Sequence, residues 1–133
     1  RIQKIIDTWG WRCDGFIAAS TMTDETLGVF DLSHLGPEMY GNMWQKVRSL
    51  WFYVSDNYID DYDFFWIGGD DVQLIPENLR NYLWSLRDSI GEERMSTEPL
   101  HLGGLAPFPK GGGDVKDAGS VFVLGAAGYV LNR

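Results

Sequence analysis

The chain has 133 residues, 44% of them hydrophobic and 14% aromatic, enough apolar content for one globular domain with a real core. Nineteen Asp and Glu against eleven Lys and Arg give a formal net charge of -8, and with no run of basic residues this argues against nucleic-acid phosphate as a partner. No stretch approaches the roughly 18 apolar residues of a membrane-spanning helix, and the sequence shows no signal peptide, low-complexity segment or internal repeat.

Taken in chain order, Ile2, Ile5, Ile6 and Trp9 recur at helical spacing and predict a helix over Arg1 to Trp9. Gly15 to Ser20 and Gly28 to Leu32 read as strands. Trp44, Val47, Trp51, Val54 and Tyr58 follow at intervals of three and four, which predicts a long helix with a large apolar stripe packed on a sheet. Phe64 to Ile67 is a continuous apolar run, expected as a strand buried on both faces. Pro76 then opens a helix where its missing N–H costs nothing, with Leu79, Leu83, Leu86 and Ile90 as its buried stripe. Pro99 to Gly104 reads as a short strand, Leu105 to Gly119 as a Gly/Pro-rich surface loop, and Val121 to Leu124 and Tyr129 to Leu131 as strands. Alternating strands and helices predict an α/β fold with a mostly parallel sheet flanked by helices.

The most informative segment runs from Asp63 to Arg80. The apolar strand ends in Gly68-Gly69, which allow a bend or close ligand approach, followed by the carboxylates Asp70 and Asp71. Carboxylates at the exit of a strand suit a metal or phosphate site, although Asp and Gly also make ordinary acidic turns. Gly111-Gly112-Gly113 lacks the Lys-Ser/Thr ending of a phosphate-binding P-loop. His34 and His101 are too few and too scattered to suggest a metal cluster. Cys13 is the only cysteine, so no disulfide forms within these residues.

Asp63-Phe64-Phe65, Asp70-Asp71 and Glu77-Asn78-Leu79-Arg80 resemble, in register, the acidic strand and helix of the fringe-like β1,3-glycosyltransferases, most closely the core 1 β1,3-galactosyltransferase branch. Thr8-Trp9-Gly10-Trp11-Arg12-Cys13-Asp14 is similar to that family's Thr-Trp-x-x-Arg-Cys block. Trp44-Gln45-Lys46 resembles its Trp-x-Lys element, and Gly125-Ala126-Ala127-Gly128-Tyr129-Val130-Leu131 its Gly-Gly-Ala-Gly-Tyr-Val-Leu block. The blocks stand in the family's order from about residue 4 to residue 133. Two positions depart from it: Gly69 replaces the first Asp of an Asp triplet, and Ala126 replaces the second glycine.

The resemblance implies a GT-A-type nucleotide-sugar-binding fold, incomplete at both ends, with residues 1–133 as a partial domain. Its first strand and the segment carrying the catalytic base would lie outside this window. Implied roles are metal ligation by Asp71 with help from Asp70, nucleotide contacts from Arg12, Lys46 and Asp70, and acceptor contacts from Gly125, Ala126, Ala127, Gly128 and Tyr129. The implied cofactor is Mn²⁺ or Mg²⁺. The implied partners are UDP-galactose and an N-acetylgalactosamine-bearing glycoprotein or glycopeptide, and a homodimer is compatible with the family. The setting would be the Golgi lumen, with a single-pass type II anchor outside this chain. Cys13 would pair with a cysteine on the absent strand or stay a buried free thiol. A different class, a non-catalytic relative that binds or chaperones a partner, is kept open by Gly69. A metal-dependent phosphoryl-transfer domain accounts for the acidic pair but for none of the other blocks.

Overall fold

The computed structural model describes residues 1–107, 121–123, 125 and 127–133. The Gly111-Gly112-Gly113 segment, most of the expected Leu105 to Gly119 loop, Leu124 and Ala126 lie outside the described residues. The chain divides into two compact units, Arg1–Tyr62 with Gln73–Arg80, and Asp63–Val72 with Asn81–Arg133.

The first unit begins with helix α1 (Ile2–Thr8), followed by the parallel pair β1 (Ala18–Ser20) and β2 (Val29–Asp31), then helix α2 (Met43–Tyr58). Its core forms where the apolar periodicities meet. Trp9 is buried and meets Phe16 edge-on at 6.2 Å between ring centroids, Val29 and Val54 are buried, and Phe30 packs against Tyr53 at 5.0 Å. The expected stripe on α2 is only partly covered, because Trp44 at its N-terminal end is 60% exposed.

The second unit is built on a three-stranded sheet of β3 (Phe64–Ile67), β4 (His101–Gly103) and β7 (Tyr129–Asn132), in the order β3-β7-β4. Helix α3 (Pro76–Ile90) starts at the expected proline, its first residues belonging to the other unit; Leu83 is buried, with Leu86 and Ile90 half-buried beside it. A short helix α4 (Glu92–Thr97), absent from the sequence reading, contributes the buried Met95. Strands β5 (Leu105–Pro107) and β6 (Val121–Val123) form a separate antiparallel pair.

The sheet overturns one expectation. Among the described residues β1–β2 is the parallel ladder, while β3–β7, β4–β7 and β5–β6 are antiparallel. The helical crossover does keep β3 and β4 parallel to each other, since both oppose β7, as a βαβ connection requires. The later strand β7 inserts between them. Consequently β3 is an edge of its sheet, and Phe64 to Ile67 are half-buried at every position rather than buried on both faces.

Asn132 fastens β7 to the elements that lead into β4. Its amide oxygen accepts from the Leu100 N–H at 2.7 Å, and its amide nitrogen donates to the carbonyls of Met95 and Glu98 at 3.0 and 2.9 Å. Three otherwise open backbone groups are satisfied by one half-buried side chain.

Candidate functional site

Asp70 and Asp71 occupy the two central positions of a turn closed by the Val72 N–H donating to the Gly69 carbonyl at 3.3 Å. The turn leaves β3 at Ile67, which lies opposite Tyr129 at the start of β7. An antiparallel ladder places the exit of one strand beside the entry of its neighbour. The acidic turn and the small-residue block before Tyr129 are thereby brought to the same end of one sheet, although nearly sixty residues separate them in sequence.

Trp66 shapes the backbone there. A Cβ built on Gly68 would fall 2.6 Å from the indole Cζ2, and one built on Gly128 would fall 2.5 to 2.7 Å from three atoms of the same ring system. Gly128 is also in the left-handed region at φ +79°, where a side chain is strained. On the third strand Gly103 lies opposite Tyr129, and a Cβ there would meet Val123 at 2.6 Å. The His101 ring meets Tyr129 edge-on at 4.9 Å. Neither Trp66 nor His101 stood out as a site residue in the sequence; the signal for Trp66 was available in its place two residues before Gly68.

Both carboxylates are exposed. With water at hand, neither needs a cation to offset burial. Their donor chemistry still fits a hard divalent ion. Mg²⁺ and Mn²⁺ sites commonly take one or two protein carboxylates and leave the remaining positions to water and phosphate oxygens. Among the described residues no group of three or more His, Cys, Asp or Glu gathers as a metal cluster. Gly69 affects the geometry directly, because a Cβ at that position would lie 2.7 Å from Asp71 Oδ1. The Asp71 carboxylate therefore sits in the space that a side chain at residue 69 would enter.

Arg12 and Lys46 lie in the other unit, each held by a carboxylate of its own. Arg12 Nη1 donates to Glu77 Oε2 at 3.0 Å, while Arg80 Nη2 donates to the Arg12 carbonyl at 2.8 Å and to Asp14 Oδ2 at 3.1 Å. The Thr8–Asp14 block is thus clipped to the first turn of α3, so two segments singled out in the sequence meet. Arg12 Nε is buried without a hydrogen-bond partner among the described residues. Cys13 is a free, half-buried thiol, pushed above its ordinary range by burial, with the nearby Arg80 charge acting in the opposite sense. Lys46 donates to both oxygens of Glu38 at 2.9 and 3.0 Å, and His34 Nε2 meets Glu38 Oε1 at 2.9 Å. Gly125, Ala127, Gly128 and Tyr129 share the sheet end with the acidic turn; Ala126 is outside the described residues. No described helix is long and apolar enough to cross a membrane.

The architecture is a mixed α/β one with an acidic turn at a glycine-lined sheet end. Comparison with known proteins finds distant similarity to glycosyltransferases. Over 128 residues the chain is 26% identical to the glycoprotein-N-acetylgalactosamine 3-beta-galactosyltransferase 1 of Xenopus laevis, an alignment covering 96% of this chain and 30% of that protein. Over 83 residues it is 31% identical to the human chondroitin sulfate synthase 3, covering 61% of this chain and 8% of that protein. No protein-family model and no solved structure matches. The chain is a distant relative of glycosyltransferases, and it spans under a third of the length of the curated relatives it matches.

Proposed function

We propose that this chain is the metal-binding part of a GT-A-type inverting glycosyltransferase that moves galactose from UDP-galactose, in β1,3 linkage, to N-acetylgalactosamine on glycoproteins in the Golgi lumen. The observation that carries the proposal is the meeting of the acidic turn with the Gly125–Tyr129 block at one sheet end. Departure of a nucleoside diphosphate from the anomeric carbon builds negative charge on the leaving oxygen. A divalent cation bound there supplies the Lewis acidity that stabilises this charge.

Asp71, assisted by Asp70, would hold Mn²⁺ or Mg²⁺ through hard carboxylate oxygens in an exposed turn that leaves room for phosphate ligands. Gly125 and Ala127, both exposed, let a sugar approach the backbone ahead of Tyr129. Asp70 adds a nucleotide contact.

A second reading, a non-catalytic relative acting on a protein partner, is favoured by two observations. Gly69 replaces a carboxylate, and Arg12 and Lys46 are already neutralised by Glu77 and Glu38. UDP binding with Mn²⁺ and with chelator separates the two readings. Metal-dependent binding that is lost in Asp71→Asn and reduced less in Asp70→Asn supports the transferase. Equal UDP affinity with and without metal would sink it. Galactose transfer by the full lumenal protein to an N-acetylgalactosamine peptide then tests donor and acceptor together.

A further inference from the structure

The segment from Ser33 to Asn42, before α2, is stitched to that helix and to itself by side chains. Ser49 Oγ donates to the Ser33 carbonyl at 2.8 Å, and Asn42 Nδ2 donates to the carbonyls of Leu35 and Pro37 at 2.6 and 3.1 Å. Glu38 is gripped by His34 and Lys46, whose side chains are only 8% and 18% exposed. These bonds frame a cavity of about 230 Å³ between the loop and the first turn of α2.

What the frame leaves open defines the ligand. Glu38 uses three of its roughly four lone-pair positions on His34 and Lys46, leaving one on Oε2. Asn42 has both amide hydrogens engaged, so its carbonyl oxygen is free to accept. Lys46 directs two hydrogen bonds at Glu38, leaving one ammonium hydrogen to donate. The Tyr40 ring, 91% exposed, stands at the rim with its hydroxyl unbonded to any described residue, and Met39 and Met43 add exposed apolar surface. Fixed acceptors and donors side by side, with an exposed aromatic ring at the rim, match a ring that has hydroxyls on its edge and C–H groups on its face. At about 230 Å³ the cavity has room for one sugar ring, below the roughly 300 Å³ at which drug-sized ligand sites begin.

We propose that this cavity is a saccharide-binding site, taking a single neutral hexopyranose ring through Glu38, Lys46 and Asn42 with Tyr40 stacked on it. It rests on the transferase reading only for the choice of sugar, since an acceptor glycan is what such a protein must recognise. Lys46 then serves a sugar hydroxyl in place of the diphosphate.

The test is a titration of the full-length protein, labelled at the methionine methyls, with methyl α-N-acetylgalactosaminide, and in parallel with UDP plus Mn²⁺. Saturable shifts of the Met39 and Met43 methyls with the sugar are expected, weakened about tenfold in Tyr40→Ala through loss of the aromatic face. Tyr40 is so exposed that its truncation leaves folding intact, and Mn²⁺-dependent UDP binding is expected to persist in the variant. Absence of sugar-induced shifts, equal shifts in Tyr40→Ala, or shifts of these methyls by UDP would each overturn the proposal. Metal-independent UDP binding alongside normal sugar shifts would count against the transferase reading and leave the saccharide site standing.

Discussion

Replacing Gly128 by Ala isolates the packing on which the sheet end depends. Two separate costs arise. At φ +79° an L side chain is strained by about 1–2 kcal/mol. Its Cβ would also fall 2.5, 2.6 and 2.7 Å from Cζ2, Cε2 and Nε1 of Trp66, a ring that cannot retreat freely because Gly68 closes on the same Cζ2. Forcing a methyl into packed surroundings typically costs 1–3 kcal/mol, or about 3 kcal/mol with the backbone strain. Gly125→Ala is the internal control. A Cβ there meets nothing within 4 Å among the described residues and the backbone is not left-handed, so the change is expected to be neutral or to stabilise by up to about 1 kcal/mol. Urea midpoints of the two variants, with unchanged m-values, would read the difference as stability. Amide exchange in β3 and β7 would locate it. Equal midpoints for the two variants would refute the reasoning, because both substitutions are Gly to Ala in the same short block. The control also has a functional use: a loss of transfer in a fully stable Gly125→Ala protein would report on acceptor approach rather than on folding.

Asn132→Ala removes three hydrogen bonds to backbone groups and is expected to cost about 2–3 kcal/mol, measured by urea midpoint, with the Leu100 amide losing exchange protection first. His34 is held above its ordinary value chiefly by the hydrogen bond to Glu38, whose own carboxyl is held below its ordinary value by His34 and then Lys46. The raised His34 contributes stability that is complete below its unfolded value and is lost as pH rises through its folded one. The lowered Glu38 contributes stability that is complete above its unfolded value and is lost as pH falls through its folded one. The Ser33–Asn42 loop should therefore be tightest in mildly acidic solution, between the two titrations. Amide exchange across pH checks this, and Glu38→Gln should bring the His34 titration, followed by imidazole NMR, down toward its ordinary value.

Long elements with strong periodicity were legible in the sequence because their pattern follows local geometry. The Pro76 start and Leu83 stripe of α3 and the Trp9 anchor after α1 are of this kind. What escaped depended on partners far along the chain. Nothing local to Tyr129–Asn132 says that this strand will insert between β3 and β4, yet that insertion turns a mostly parallel expectation into an antiparallel sheet. Helix α4 is only six residues long, too short for a period to show, and follows Gly91 at φ +88°. Asn132 resembles a solvated terminal residue until the backbone groups of Met95, Glu98 and Leu100 are seen around it. The acidic turn itself was legible, but its exposure was not, since burial depends on which side of the strand acquires a neighbour.

That exposure shifts the weight between the two functional readings. Had Asp70 and Asp71 been desolvated, their retention alone would have demanded a cation. In an exposed turn they are stable without one, so their presence no longer distinguishes a metal site from an acidic loop. Beside them, Gly68 and Gly128 leave the space that the Trp66 ring occupies, which is a packing role in its own right, so the distinction falls to metal-dependent UDP binding. Gly69 belongs to the same pattern. By leaving space for the Asp71 carboxylate to lie back over the turn, it trades one acidic side chain for a different placement of the next. The departure from the family triplet is therefore a change in how the carboxylate is presented as well as a loss of charge, and it is compatible with a metal site that draws most of its ligands from the substrate.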